Sequence, residues 1–244
     1  MERTKKALIF KGGWDGHEPN EVSEIFKELL EAKGYEVEVY DSHECLEDVA
    51  KLRELDVIVP VWTMGEIEHK YVVNVIEAVN SGVSMIGCHG GMCDSFRNST
   101  YWQYLTGGQW VVHPGGDGVK YKVNITDVEN NILEGMDDFY VTSEQYYLLV
   151  DPAVKVLATT KMPVFGGPHA ANGEFDMPVT WTKKFGLGRL FYTSIGHHAD
   201  IVDMPECREM INRGIDWVQD GKDLSMHHDM NKKAPTGDEI CAGF

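Results

Sequence analysis

Positive charge is in short supply in this chain. Its 244 residues carry 22 Lys and Arg against 39 Asp and Glu, a formal net charge of -17. Nucleic-acid binding needs clustered cations, so the balance argues against that partner. It disfavours an anionic membrane surface for the same reason. Long apolar runs are also missing. The first one, residues 7–10, is too short for a signal-peptide core, and no stretch approaches a membrane span. Cysteine is scarce and odd in number: Cys45, Cys88, Cys93, Cys207 and Cys241, with no C-x-x-C. Neither a disulfide framework nor a thiolate zinc site follows from that spacing. Thiols kept reduced in a cytoplasm are the simplest reading. There is no internal repeat and no interdomain linker. A protein with 43% hydrophobic and 25% charged residues, acting on a neutral or cationic small ligand, fits these absences best.

The apolar pattern that is present alternates between two periods. Residues 7–10 read as a buried strand ending at Gly12-Gly13. Val22, Ile25, Phe26, Leu29 and Leu30 then recur at helical spacing up to Gly34. Next come a strand over 35–40, a short helix within 46–55, a buried strand over 56–62 and a helix over 68–80. The apolar run 83–86 completes the series. Strand–helix alternation over ninety residues predicts a mainly parallel sheet with helices on both faces. The second half is β-rich, with strands expected over 110–113, 121–125, 154–159, 178–181 and 190–195. A last helix covers about 205–218. Residues 1–221 read as one α/β domain and 222–244 as a polar tail, free or docked on a neighbour.

In such sheets ligands bind beyond the carboxyl ends of the strands. That rule gathers the Gly13-Trp14 loop, the Trp62 loop and the sequence Gly87-Cys88-His89-Gly90-Gly91 at one rim. A strand running into G-x-X-G-G is the layout that lifts X above the sheet, where X is ordinarily Ser or Cys. Here X is His89, so the usual nucleophile is absent. His197 follows the strand 190–195, and Glu144 lies among tyrosines in Ser143-Glu144-Gln145-Tyr146-Tyr147. Burial there would raise its pKa. His89, Glu144 and His197 are the candidate catalytic groups, as general acid and base. They are equally the donors of one divalent metal, zinc or similar. Gly13, Trp14, His17, Trp62, Gly90, Gly91, His113 and Gln145 are the candidate substrate contacts, with the Gly90 and Gly91 amides available to an oxyanion. Trp14 and Trp62 could stack on a sugar. His43, His69, His169, His227 and His228 read as surface residues, and Cys88 and Cys93 as buried thiols rather than nucleophiles. The plain alternatives are a hydrogen-bonded turn histidine at position 89 and tryptophans that only pack.

Five segments taken in order resemble the ThuA-like (trehalose utilization) family of the class I glutamine amidotransferase-like superfamily. They are Gly13-Trp14-Asp15-Gly16-His17, Gly87-Cys88-His89-Gly90-Gly91, Gly107-Gly108-Gln109-Trp110-Val111-Val112-His113-Pro114, Ser143-Glu144-Gln145-Tyr146-Tyr147 and residues 186–197 ending in Gly196-His197. The resemblance implies a flavodoxin-like sheet with His89 at the amidotransferase nucleophile position and His197 at that of its triad histidine. It also implies a connection with sugar and glycoside catabolism, including keto-sugars. Without cysteine at the elbow, glutamine hydrolysis is not expected. A superfamily fold does not transmit a reaction. The expected function is an enzyme acting on a small-molecule carbohydrate, without a nucleotide cofactor. The alternative is a carbohydrate-binding or regulatory module that keeps the fold and lacks the chemistry. Exposed sheet edges make a homo-oligomer plausible.

Overall fold

The computed structural model describes residues 3–127, 131–226 and 236–242, with the backbone alone at 224–226. The first half alternates as its periodicity predicts. Strand β1 (Lys5–Gly13) leads to α1 (Pro19–Ala32), β2 (Tyr35–Tyr40), α2 (Val49–Arg53), β3 (Val57–Thr63), α3 (His69–Asn80) and β4 (Ser84–Cys88). Two short helices come next, α4 (Gly90–Cys93) and α5 (Thr100–Thr106). Then come β5 (Gly108–Val112), β6 (Val119–Ile125), β7 (Phe139–Ser143), β8 (Tyr147–Val150), β9 (Lys155–Met162), β10 (Phe175–Phe185) and β11 (Gly188–Thr193). The chain closes with α6 (Ala199–Val202), α7 (Pro205–Met226) and α8 (Gly237–Cys241).

Nine strands form one sheet in the order β2-β1-β3-β4-β11-β10-β9-β6-β7, and β5 pairs with β8 separately. From β2 to β11 every pair is parallel, and from β11 to β7 every pair is antiparallel. This is the expected flavodoxin-like arrangement with β-rich additions. Side chains alternate across it. Ala7, Ile9, Val57 and Val59 enter a core with α1 and α7, while Leu8, Phe10 and Ile58 enter a second core with α3 and α5. Both faces are covered, which is why the parallel strands read as unbroken apolar runs.

The structure departs from the sequence pattern in three places. Helix α5 and strands β7 and β8 are not among the expected elements. Helix α7 continues through Gly221 to Met226, and helix α8 lies on this chain's own α3, where the Gly237 amide donates to Glu77 Oε2 at 2.8 Å. Part of the segment expected as a tail is therefore docked structure. Of the histidines expected at the surface, His69 is exposed, His43 instead packs half-buried against Trp62 and Phe96, His169 is half-buried against Tyr147, and His227 and His228 lie outside the described residues.

Candidate active site

The elbow forms as its sequence dictates. His89 joins β4 to α4 with φ 49° and ψ −131°, a conformation that L-residues rarely adopt. Its backbone is held on both sides: the amide donates to Thr193 O at 2.7 Å, and the Tyr192 hydroxyl donates to its carbonyl at 2.9 Å. The flanking glycines make room for the rings. A Cβ on Gly90 would lie 2.5 Å from His17 Nδ1, and one on Gly196 would lie 2.5 Å from His89 Cβ.

Six strand ends contribute to the same place. His17 sits on a 3-10 turn after β1, Thr63 ends β3, His89 follows β4, His113 follows β5, Glu144 follows β7 and His197 follows β11. Strand β7 is the far edge of the sheet, yet the Ser143 hydroxyl donates to Gly196 O at 2.5 Å. The sheet therefore twists enough to return its last strand to the β4–β11 rim.

Three imidazole nitrogens converge on one oxygen. Glu144 Oε2 is 3.2 Å from His89 Nε2, 3.3 Å from His197 Nδ1 and 3.8 Å from His17 Nε2. The second oxygen, Oε1, is 3.5 Å from His113 Nε2. His17, His89, Glu144 and His197 are all buried, while His113 is half-buried and Trp14 is 44% exposed. Two of the far nitrogens are anchored by hydrogen bonds, and the third faces a more distant carboxylate. His89 Nδ1 lies 2.9 Å from Ser194 O, His17 Nδ1 lies 2.8 Å from Thr63 Oγ1, and His197 Nε2 lies 3.9 Å from Asp117 Oδ2. Tyr146 stacks on the His89 ring with centroids 4.0 Å apart.

The charge states follow from this packing. Burial holds His89 neutral, its pKa pushed down to about 4 despite Glu144. Burial also opposes charge on His197, but the neighbouring carboxylate outweighs it and raises that pKa. Burial alone would push Glu144 up, as its place among tyrosines predicts. The imidazoles of His17, His197 and His89 reverse the sign and hold it well below the usual carboxylate range. The expectation of a raised pKa is corrected: Glu144 is an anion.

Most of the predicted site residues meet. His89, Glu144 and His197 meet, with His17 as an equal member; His113 reaches Glu144, Trp14 packs on the His17 ring, and Gly90 and Gly91 line a small cavity with His17, His89 and His197. Gly13 has φ +82°, and a Cβ there would meet Thr63 O at 2.0 Å, so it fits β1 against β3. Gly91 packs α4 on β3, where a Cβ would lie 3.0 Å from Pro60 O. Two residues do not join. Trp62 packs at a tilt against His43, 3.9 Å between centroids, on the α3 side of the sheet. The Gln145 amide donates to Thr160 Oγ1 at 2.9 Å and Lys161 O at 3.0 Å, tying the β7–β8 link to β9. Thr63 is a site residue that the motifs do not reveal. Period-two alternation along β3 was the available signal, since it sends Thr63 to the site and Trp62 to the opposite face.

The fold and this histidine–carboxylate rim define an α/β protein with a flavodoxin-like sheet and an imidazole at its strand-end elbow. A family model described as "Trehalose utilisation" (ThuA) matches residues 6–218, and the chain belongs to that family. Solved structures share the fold. A ThuA-like protein from Bacteroides uniformis superposes with a TM-score of 0.71 at 16% identity, covering 89% of this chain and 93% of that one. One from Parabacteroides merdae gives 0.69 at 16% identity, covering 96% of each. A glutamine amidotransferase from Thermotoga maritima gives 0.50 at 11% identity, covering 93% and 87%. No curated protein matches the sequence.

Proposed function

We propose that the protein is an enzyme of carbohydrate catabolism that moves protons on a keto-sugar or glycoside at the His89–Glu144–His197 site. The observation that carries this reading is one buried carboxylate surrounded by imidazoles at the strand-end rim. Membership of a family named for trehalose utilisation supports the substrate class.

The groups divide the work by charge. A proton on carbon beside a carbonyl passes to a base, the C–H electron pair moves into a carbon–carbon double bond, and the carbonyl oxygen takes the negative charge. The anionic Glu144 and the neutral His89 are the available bases. His197, whose charged form Glu144 favours, is the acid that returns the proton. Trp14 offers an exposed ring at the rim for a sugar face. Trp62 does not, which weakens a purely sugar-binding module built on that pair.

The ligand in this reading is a small carbohydrate, with neither nucleic acid nor a membrane surface as partner. Among the described residues no helix is long and apolar enough to cross a membrane. A cytoplasmic setting, consistent with five free cysteines, is part of the same proposal. So is self-association, supported by exposed Val112, Leu149 and Phe165. The test is a panel of keto-sugars and their glycosides, followed by proton exchange with deuterated solvent. The His89→Ala variant should lose at least about 100-fold in turnover while keeping its near-UV circular dichroism. Full turnover in a folded His89→Ala protein would remove the mechanism. Sugar affinity without turnover in the wild type would favour the binding module.

A further inference from the structure

The geometry points to a metal centre: His17 Nε2, His89 Nε2, His197 Nδ1 and the Glu144 carboxylate together bind one divalent transition-metal ion. The donor atoms of these four residues lie within 4.8 Å of one another. In a tetrahedral site with metal–nitrogen bonds of about 2.0–2.1 Å, neighbouring donors stand roughly 3.3 Å apart. The carboxylate oxygen is 3.2, 3.3 and 3.8 Å from its three imidazole neighbours. That spacing fits donors arranged about a common ion.

Hydrogen bonding accounts for only part of the cluster: His89 Nε2 is within hydrogen-bond distance of Glu144 Oε2, while the buried His197 Nδ1 makes no such bond. A neutral His89 that donates from Nδ1 to the Ser194 carbonyl presents a lone pair at Nε2. That lone pair faces an anionic oxygen at 3.2 Å. A second proton or a bound cation resolves the conflict, and the convergence of two further imidazoles on the same oxygen suits the cation. His197 gives the independent sign. Its Nδ1 is buried and makes no hydrogen bond, although Glu144 Oε2 is 3.3 Å away. A nitrogen aimed into the cluster but out of line with the oxygen is placed as a ligand would be.

The surrounding partners suit a ligand set. Metal-bound imidazoles usually give their other nitrogen to a carbonyl, hydroxyl or carboxylate, which fixes the ring. His89 has Ser194 O and His17 has Thr63 Oγ1, while His197 Nε2 faces Asp117 at 3.9 Å, beyond hydrogen-bond reach. Imidazole-rich donors select zinc, cobalt, nickel or iron over magnesium and calcium. An ion that accepts a fifth ligand keeps a place for a substrate oxygen. The inference rests on the carbohydrate reading, keeps its substrate class, supplies the electrophile for that oxygen, and makes His89 and His197 ligands in place of base and acid. Proton transfer then falls to Glu144 Oε1 and His113, 3.5 Å apart.

Binding can be measured without any substrate, so it fails or holds separately from the carbohydrate reading. Untagged protein is stripped with a chelator and titrated with Zn²⁺, Co²⁺ and Mg²⁺ by calorimetry. One equivalent of Zn²⁺ or Co²⁺ should bind and raise the melting temperature, and Mg²⁺ should do neither. Bound Co²⁺ should show visible ligand-field bands, and X-ray absorption of the wild-type zinc form should show imidazole scattering. His17→Ala, His89→Ala, His197→Ala and Glu144→Gln should each weaken binding by at least about 100-fold, whereas His43→Ala and His198→Ala should not. Should any of the four fail to fold, the wild-type absorption spectrum still decides. The proposal is overturned if the wild type takes up no stoichiometric ion. It is also overturned if uptake survives in folded Glu144→Gln and His89→Ala, or if His198→Ala alone abolishes it.

Discussion

His89 shows how a single residue can be held against its own preference. Its positive φ costs about 1–3 kcal/mol for a side chain with a Cβ. Two backbone hydrogen bonds, from Tyr192 and to Thr193, hold it there. The cysteines beside it do not restore the missing nucleophile. Burial pushes the Cys88 thiol up to about 12 and Cys93 up as well, so neither supplies a thiolate near neutral pH. His43 behaves in the opposite sense to a paired histidine. Lodged among Trp62, Phe96 and Phe10, its pKa is lowered by burial. An unfolded chain binds that proton at about pH 6.5, while the folded one resists it to lower pH. Stability from His43 is therefore complete above about pH 6.5 and drains away as the pH falls. Between pH 7 and pH 5 the wild type should lose more stability in urea titrations than His43→Leu does. Parallel losses would sink this assignment.

Helix α7 shows why element-level propensity is subordinate to packing. Its Gly214 sits on the face turned to β11, where a Cβ would lie 2.6 Å from the Phe191 ring. On propensity alone Gly214→Ala should stabilise the helix by about 1 kcal/mol. Overpacking against a fully buried phenylalanine costs about 1–3 kcal/mol. The clash should win, and Gly214→Ala should lower the urea midpoint. Pairing it with Phe191→Leu should recover part of the loss, because the smaller side chain gives up the contested space. A stabilised single variant would show that α7 can shift away from the sheet at no cost. The same close approach is visible at Gly221, whose Cβ would meet the Arg189 side chain at 2.2 Å. Glycine inside this helix marks proximity to the sheet rather than the end of the element.

At the scale of the whole molecule the net charge of -17 is the dominant long-range term. Like charges on a compact body repel and favour expansion. The range of that repulsion shortens from about 30 Å at 0.01 M salt to about 8 Å at 0.15 M. The melting temperature should therefore rise by about 2–5 °C over that change, measured with a chelator present so that metal binding does not contribute. An unchanged or falling value would mean that local ion pairs such as Lys33–Asp216 and Lys122–Asp138 offset the repulsion.

The parallel half of the sheet, the elbow at His89 and the candidacy of Glu144 and His197 were legible in the chain itself. Those features are local: an apolar period, a glycine-flanked turn and an imidazole at a strand end each leave a mark within a few residues. What only the folded molecule decided was nonlocal. It set the curl that brings the far edge strand back to the rim. It ranked His17 with the other imidazoles while turning Trp62 and Gln145 elsewhere. It also reversed the charge preference of Glu144. Each of these depends on which distant segments become neighbours, and an electrostatic field is a sum over neighbours in space that sequence order does not record.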